Sequence, residues 1–287
     1  MDVSFEFFPP KTDEGLQKLV AISKQLSAYS PSYFSVTYGA GGSTQRKTID
    51  TVAQLRQMTS HAIAPHISCV GATKVAISAL LDEYRDLGVR KIVVLRGDLP
   101  SGEMDFAGTL RYANQLVSFI REYSDDFFHI EVAGYPECHP QSKNFEKDFF
   151  YFKQKVDSGA NGVITQYFYD VNAYYWLLEA CHRHNIRVPI TPGIMPITNI
   201  EQLIRFSHQC GAQIPRWLIK RCDSYGDDIE SIKQFGMEVV TRLCEQLIAI
   251  GVPGLHFYTL NKVEASMHIL DSLKIARKTP EKELAYN

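Results

Sequence analysis

The stretch Val3-Ser4-Phe5-Glu6-Phe7-Phe8-Pro9-Pro10 decides how the rest of the chain is read. Period-two alternation puts Val3, Phe5 and Phe7 on one face of an extended segment and Ser4, Glu6 and Phe8 on the other. Pro9-Pro10 ends the strand, because proline has no N–H to give to a ladder. Runs of the same kind, rich in Val, Ile, Phe and Tyr, recur at Tyr33 to Thr37, Ile63 to Ser68, Lys91 to Leu95, Phe128 to Ala133, Gly162 to Gln166, Val188 to Thr191 and Gly254 to Tyr258. With Val3 to Phe8 they make eight. The first three begin about thirty residues apart, the length of one strand, one helix and two short loops. That rhythm predicts an α/β fold with a parallel sheet, and eight units favour a closed (β/α)8 barrel of the TIM type over an open sheet.

Helix signals lie between the strands. Ser43 and Thr44 are placed to cap a helix running through Thr48, Val52 and Leu55, and Asp170 to cap one carrying Tyr174, Leu177 and Leu178. The long insertion from Gly211 to Ile250, with Leu243, Leu247 and Ile250 at helical spacing, predicts extra helix before the last strand. No linker or repeat divides residues 1–287, so one domain is expected, with a mobile tail over 277–287.

Composition narrows the function classes. The chain has 287 residues, 45% hydrophobic and 22% charged, and 30 basic against 32 acidic side chains leave a net charge of -2. No basic footprint for nucleic acid stands out. No apolar run reaches the ~18 residues of a membrane span, and the N-terminus lacks a leader pattern, so a cytoplasmic protein is expected. The six cysteines form no C-x-x-C pair, which argues for reduced thiols rather than a zinc ribbon or dithiol motif.

In such a barrel the reacting groups sit at the carboxyl ends of the strands. Those ends carry Glu6, Thr37-Tyr38-Gly39-Ala40-Gly41-Gly42, Pro65-His66, Arg96-Gly97-Asp98, Tyr135-Pro136-Glu137-Cys138-His139-Pro140, Gln166 and Pro192-Gly193. If Phe5 and Phe7 pack outward on helices, Glu6 points into the barrel. A carboxyl removed from water beside aromatic rings favours its neutral form, which suits a proton donor near neutral pH. The other motifs are weaker alone. Arg96-Gly97-Asp98 reads equally as a solvated turn. His66 and His139 belong to no spaced metal motif. The Gly39 to Gly42 cluster lacks the last glycine of a dinucleotide fingerprint, and Lys155, on an amphipathic helix, reads by default as a surface charge.

Taken together, these segments resemble the methylenetetrahydrofolate reductase family. The matching strings are Ser4-Phe5-Glu6-Phe7-Phe8-Pro9-Pro10, Ser35-Val36-Thr37-Tyr38-Gly39-Ala40, Ala64-Pro65-His66, Leu95-Arg96-Gly97-Asp98-Leu99-Pro100, Gly159-Ala160-Asn161 with Ile164-Thr165-Gln166, and His256-Phe257-Tyr258-Thr259-Leu260-Asn261. They fall in register over almost the whole chain. The resemblance implies a barrel that binds FAD and reduces 5,10-methylenetetrahydrofolate to 5-methyltetrahydrofolate with NADH or NADPH. It also implies a homo-oligomer, commonly a tetramer. Carried over by motif, Glu6 is the general acid and Asp98 lies beside flavin and pterin. Thr37, Tyr38, His66, Arg96, Gly97, Ala107, Tyr135, His139, Asp148 and Lys155 line FAD, and Gln166, Gln202 and Phe206 contact folate or nicotinamide.

Three departures stand out. Lys262 replaces an arginine common in bacterial relatives, which keeps the charge at that substrate contact and loses the planar fork. Gln154 and Tyr151 stand where a basic residue and an asparagine are common. Two other classes fit the residues: a metal-dependent hydrolase or lyase using His66, Asp98 and His139, and a non-catalytic folate-binding relative.

Overall fold

The computed structural model describes residues 1–38, 42–97 and 108–277. Nine parallel strands are found among them: β1 Asp2–Phe7, β2 Tyr33–Val36, β3 Ala62–Ser68, β4 Lys91–Leu95, β5 His129–Gly134, β6 Gly162–Thr165, β7 Ile190–Thr191, β8 Gly193–Ile194 and β9 Gly254–Tyr258. Their order in the sheet is β7-β6-β5-β4-β3-β2-β1-β9-β8. The two ends of that order, β7 and β8, are consecutive in the chain, so the sheet closes into a barrel.

All eight expected strands are present, and the seventh is built in two pieces. Pro192 has no N–H for a ladder, and at that residue the chain changes partner. Ile190 and Thr191 pair with Val163 and Ile164 of β6, whereas Gly193 and Ile194 pair with His256 and Phe257 of β9. Strand seven therefore bends from one neighbour to the other at the proline.

The helices are α1 Asp13–Ser27, α2 Gly42–Met58, α3 Lys74–Asp86, α4 Ala113–Ser124, α5 Phe145–Asp157, α6 Val171–Arg183, α7 Ile200–Cys210, α8 Arg216–Asp223, α9 Ile229–Ile250 and α10 Glu264–Ser272. Asp170 caps α6 by accepting the Asn172 N–H, as its position predicts. Helix α2 begins at Gly42, so Ser43 and Thr44 lie inside its first turn and not before it, a correction to the expected cap. The insertion before the last strand is helical, as the spacing predicts. Its long member α9 packs between α6 and α10 as the barrel helix. No helix among the described residues is long and apolar enough to cross a membrane.

Alternation on β1 works as the pattern predicts. Val3, Phe5 and Phe7 are buried between sheet and helices. The Phe5 ring lies 6.0 Å from Phe34 and 5.8 Å from Phe257, and Phe7 lies 5.3 Å from Phe34. Each fully buried ring contributes about 1.5–3 kcal/mol over an exposed one. A second, smaller core of Tyr33, Ala64, Val93 and Ile164 fills the barrel interior.

Candidate active site

The carboxyl ends of the strands open onto a cavity of about 440 Å³, within the size range of small-molecule sites. Glu6, Thr37, Tyr38, His66, Arg96, Tyr135, His139, Gln166 and Phe206 line it. Nine of the sequence-predicted residues thus converge from six strand ends and one helix.

Glu6 sits inside, its side chain 13% exposed. Its Oε2 faces two buried imidazoles, His66 Nε2 at 3.4 Å and His256 Nε2 at 3.8 Å. Neither Nε2 has a hydrogen-bond partner. Burial holds His66 below the usual histidine range, Glu6 opposes that shift and His256 adds to it. His66 is therefore neutral at pH 7. His256 is oriented by a 2.7 Å bond between Nδ1 and Ser4 Oγ, and its ring stacks on Tyr33. A carboxyl group between two imidazole nitrogens and an open cavity can hold a proton and release it into the cavity.

The second group lies at the ends of β4 and β5. Gly97 has φ +86, and a Cβ there would stand 2.9 Å from Ser68 Cβ and Oγ, so only glycine carries the chain through this turn. That turn delivers Arg96 to the cavity, where its Nη1 donates to Gln141 Oε1 at 2.6 Å. Asp148 Oδ2 accepts the His139 N–H and Oδ1 accepts from Ser142, which pins the loop after β5.

Lys155 is half-buried and not the surface charge its position on an amphipathic helix predicts. It reaches back to the sheet and donates to the Ala133 carbonyl at 2.5 Å. Burial lowers its pKa to about 8, with Asp148 opposing and Arg96 reinforcing the shift. The helical pattern could not show this, since a long side chain can snorkel inward as well as outward.

Asp148 and Lys155 support the lining from behind. Gln202 stands in the first turn of α7, its N–H capped by Asn199, outside the cavity lining. Lys262 is exposed, two residues beyond the lining residue Leu260. Tyr151 and Gln154 are exposed on α5. Asp98 and Ala107 lie outside the described residues, as does most of the Gly39 to Gly42 cluster. Among the described residues no three His, Cys, Asp or Glu side chains converge as a metal site.

Sequence reasoning missed His256, Tyr167, Met195, Gln209, Cys210, Tyr258 and Leu260. Period-two counting on β9 would have found His256 and Tyr258, which share parity on one inward face. The i, i+3, i+4 spacing of Phe206, Gln209 and Cys210 would have found the cavity face of α7.

The family model described as methylenetetrahydrofolate reductase matches residues 1–274. The chain is 40% identical over 259 residues to 5,10-methylenetetrahydrofolate reductase of Buchnera aphidicola, covering 90% of this chain and 87% of that one. It is 38% identical over 275 residues to the Escherichia coli protein of that name, covering 96% and 91%. An Arabidopsis thaliana protein, methylenetetrahydrofolate reductase (NADH) 1, is 35% identical over 96% of this chain and 50% of its own. Among solved structures, a Clostridium thermocellum protein described as binding two copies of 5-methyl-5,6,7,8-tetrahydrofolic acid has a TM-score of 0.64 at 17% identity, covering 96% of this chain and 94% of that one. That likeness shows the barrel fold. With the family model matched over nearly the full length, the chain belongs to the methylenetetrahydrofolate reductase family.

Proposed function

We propose that the protein is a flavin-dependent reductase that converts 5,10-methylenetetrahydrofolate to 5-methyltetrahydrofolate, with NADH or NADPH as electron donor. The observation that carries this reading is Glu6, lodged in the cavity with two buried imidazole nitrogens facing its carboxyl. The word NADH in the plant relative's name supports a nicotinamide donor.

The residues present fit FAD on two observations. Lys155 is a desolvated ammonium with three donors and, among the described residues, one acceptor, beside Arg96, so the rear of the site suits an anion such as a pyrophosphate. His66 lines the cavity, its Nε2 turned to Glu6. Thr37, Tyr38, His66, Arg96, Gly97, Tyr135 and His139 would hold the cofactor, with Asp148 and Lys155 behind them and, by family resemblance, Asp98 and Ala107. FAD, when bound, supplies hydride transfer from the nicotinamide donor to the folate.

The chain's own part is to bind, orient and protonate. Gln166 Oε1 accepts the Tyr167 N–H at 3.0 Å, which leaves the amide N–H donors for a ligand in the cavity. Phe206 offers a ring face from α7. Glu6 holds a proton on Oε2 and delivers it to folate N10, which turns N10 into a leaving group and opens the methylene bridge for hydride at the carbon. One cavity serves donor and folate in turn, a ping-pong course. The resemblance further supports a cytoplasmic homo-oligomer, tetrameric by analogy.

Half-reactions test the proposal. Glu6→Gln should keep FAD and its bleaching by NADH while abolishing methyl product. Loss of both halves would show Glu6 to be structural and overturn the reading. A purified protein without flavin bands that NADH or NADPH can bleach would do the same.

A further inference from the structure

Strand seven leaves β6 at Pro192, and the break creates a local problem. In a continued parallel ladder the Gly193 N–H would be placed to serve the Thr165 carbonyl. Here Gly193 N–H instead bonds Thr165 Oγ1 at 3.0 Å, because Gly193 has moved across to pair with His256 of β9. The Thr165 carbonyl is served from the far side of the gap by Tyr258, whose hydroxyl donates to it at 2.7 Å.

The space for that crossing is built in. A Cβ on Gly193 would lie 2.1 Å from Thr165 O, 2.6 Å from Tyr258 Cε2 and 2.9 Å from the Tyr258 hydroxyl. Only glycine lets the ring pass. Burial raises the Tyr258 pKa well above its ordinary value, so the hydroxyl remains a donor across the physiological range.

Both ends of this bridge are functional positions. At one end Tyr258 is the register partner of Glu6, and its ring meets His256 edge-on at 5.4 Å. At the other, the Thr165 carbonyl belongs to the peptide that leads into Gln166, whose own N–H is bonded to Gly134 O at 2.7 Å. We infer that Tyr258 is a positioning residue: by bridging the broken strand it fixes Gln166 at a set distance from Glu6, and so aligns bound folate with its proton donor. This rests on the folate-reductase reading of the site and adds a residue to it.

A double-mutant cycle decides between positioning and mere barrel closure. Tyr258→Phe keeps the ring and removes the donor. The expected result is a rise of about tenfold in KM for methylenetetrahydrofolate, with FAD content unchanged. Gln166→Ala should raise the same KM at least as much, and the double variant should be no worse than Gln166→Ala alone, because Tyr258 acts through Gln166. A Tyr258→Phe enzyme that is only less heat-stable, with KM unchanged, overturns the inference, and so do additive effects in the cycle. If Gln166→Ala leaves the folate KM unchanged, it is the assignment of Gln166 that fails. An inactive Glu6→Gln variant beside a normal Tyr258→Phe variant leaves the proposed function standing without this bridge.

Discussion

Replacing Lys155 by Met separates what the site costs the empty fold from what it gives the cofactor. The Lys155 pKa falls from the usual 10.5 to about 8. At about 1.4 kcal/mol per tenfold change in proton affinity, that caps the penalty for the charged form near 3 kcal/mol. Partial solvent access leaves about 1–2 kcal/mol of it, and losing the bond to the Ala133 carbonyl costs roughly 1 kcal/mol. Lys155→Met apoprotein should therefore be as stable as the parent at pH 7, or up to about 1 kcal/mol more stable. The sign fixes the pH dependence. Between about pH 8 and 10.5 the unfolded chain keeps a proton that the folded chain has lost, so parental stability rises with pH there, and any advantage of the variant should shrink by about half from pH 7 to 9.5. Urea unfolding of apoprotein at both pH values measures this. FAD binding should show the opposite face: the parent takes up a proton above pH 8 on binding an anion, so its affinity falls with rising pH, whereas the variant should bind about 10–100-fold more weakly with that slope gone. A variant that loses stability equally at both pH values, and binds FAD like the parent, would refute the claim that this ammonium is stored for an anion.

Other expectations are simpler. Gly193→Ala drives a methyl group into the Thr165 carbonyl and the Tyr258 ring, both fixed by the barrel, and should cost about 3 kcal/mol or more; a denaturation midpoint close to the parent's would show that strand seven can shift. Of the six free cysteines, Cys69, Cys181, Cys222 and Cys244 are buried, and burial pushes the Cys181 thiol up to about 12. A thiol-specific chromogenic reagent should titrate Cys138 and Cys210 in the native protein and all six after unfolding. Because Cys210 lines the cavity, folate should protect it, and equal reactivity with and without folate would place the ligand elsewhere.

The strands were legible because both faces of each obey one rule. Aromatic and branched side chains on the outer face must meet helices, which makes the runs continuous enough to see, and strand ends were placed within a residue or two. Strand seven was read only as far as Thr191, and its second piece was missed, because the sequence shows Pro192 but not the partner exchange it permits. That exchange depends on β6 and β9, brought beside strand seven only by closure. Glu6 was legible by parity alone. His256 was not singled out, although it follows the same parity, because a histidine in an apolar strand carries no local mark of what its ring nitrogens face. Lys155 was misread for a related reason: helical periodicity reports where a Cβ points, whereas the ammonium lies several bonds further on, under the sheet end.

Among the described residues two carboxylates of the barrel interior, Glu131 and Glu6, stand in opposite circumstances, and the contrast argues for which one does chemistry. Glu131, near the amino end, is buried against Gly162, where a Cβ would stand only 2.4 Å from its Oε2. Burial alone would raise its pKa, but His129 at 3.0 Å and Lys91 at 2.7 Å more than compensate and hold it below the usual carboxylate range. It is a paired anion, committed to the fold. Glu6, two residues along its strand from the Ser4 level, faces two imidazole nitrogens and, among the described residues, pairs with no lysine or arginine. Tyr33, Ala64, Val93 and Ile164 pack as an apolar cluster in the barrel interior, so the Glu131 ion pair does not extend to Glu6 through polar contacts. One carboxylate is thus fixed as an ion by its partners, while the other stands beside two buried imidazoles at the cavity. A proton donor has to be of the second kind, and the cavity opens on that one.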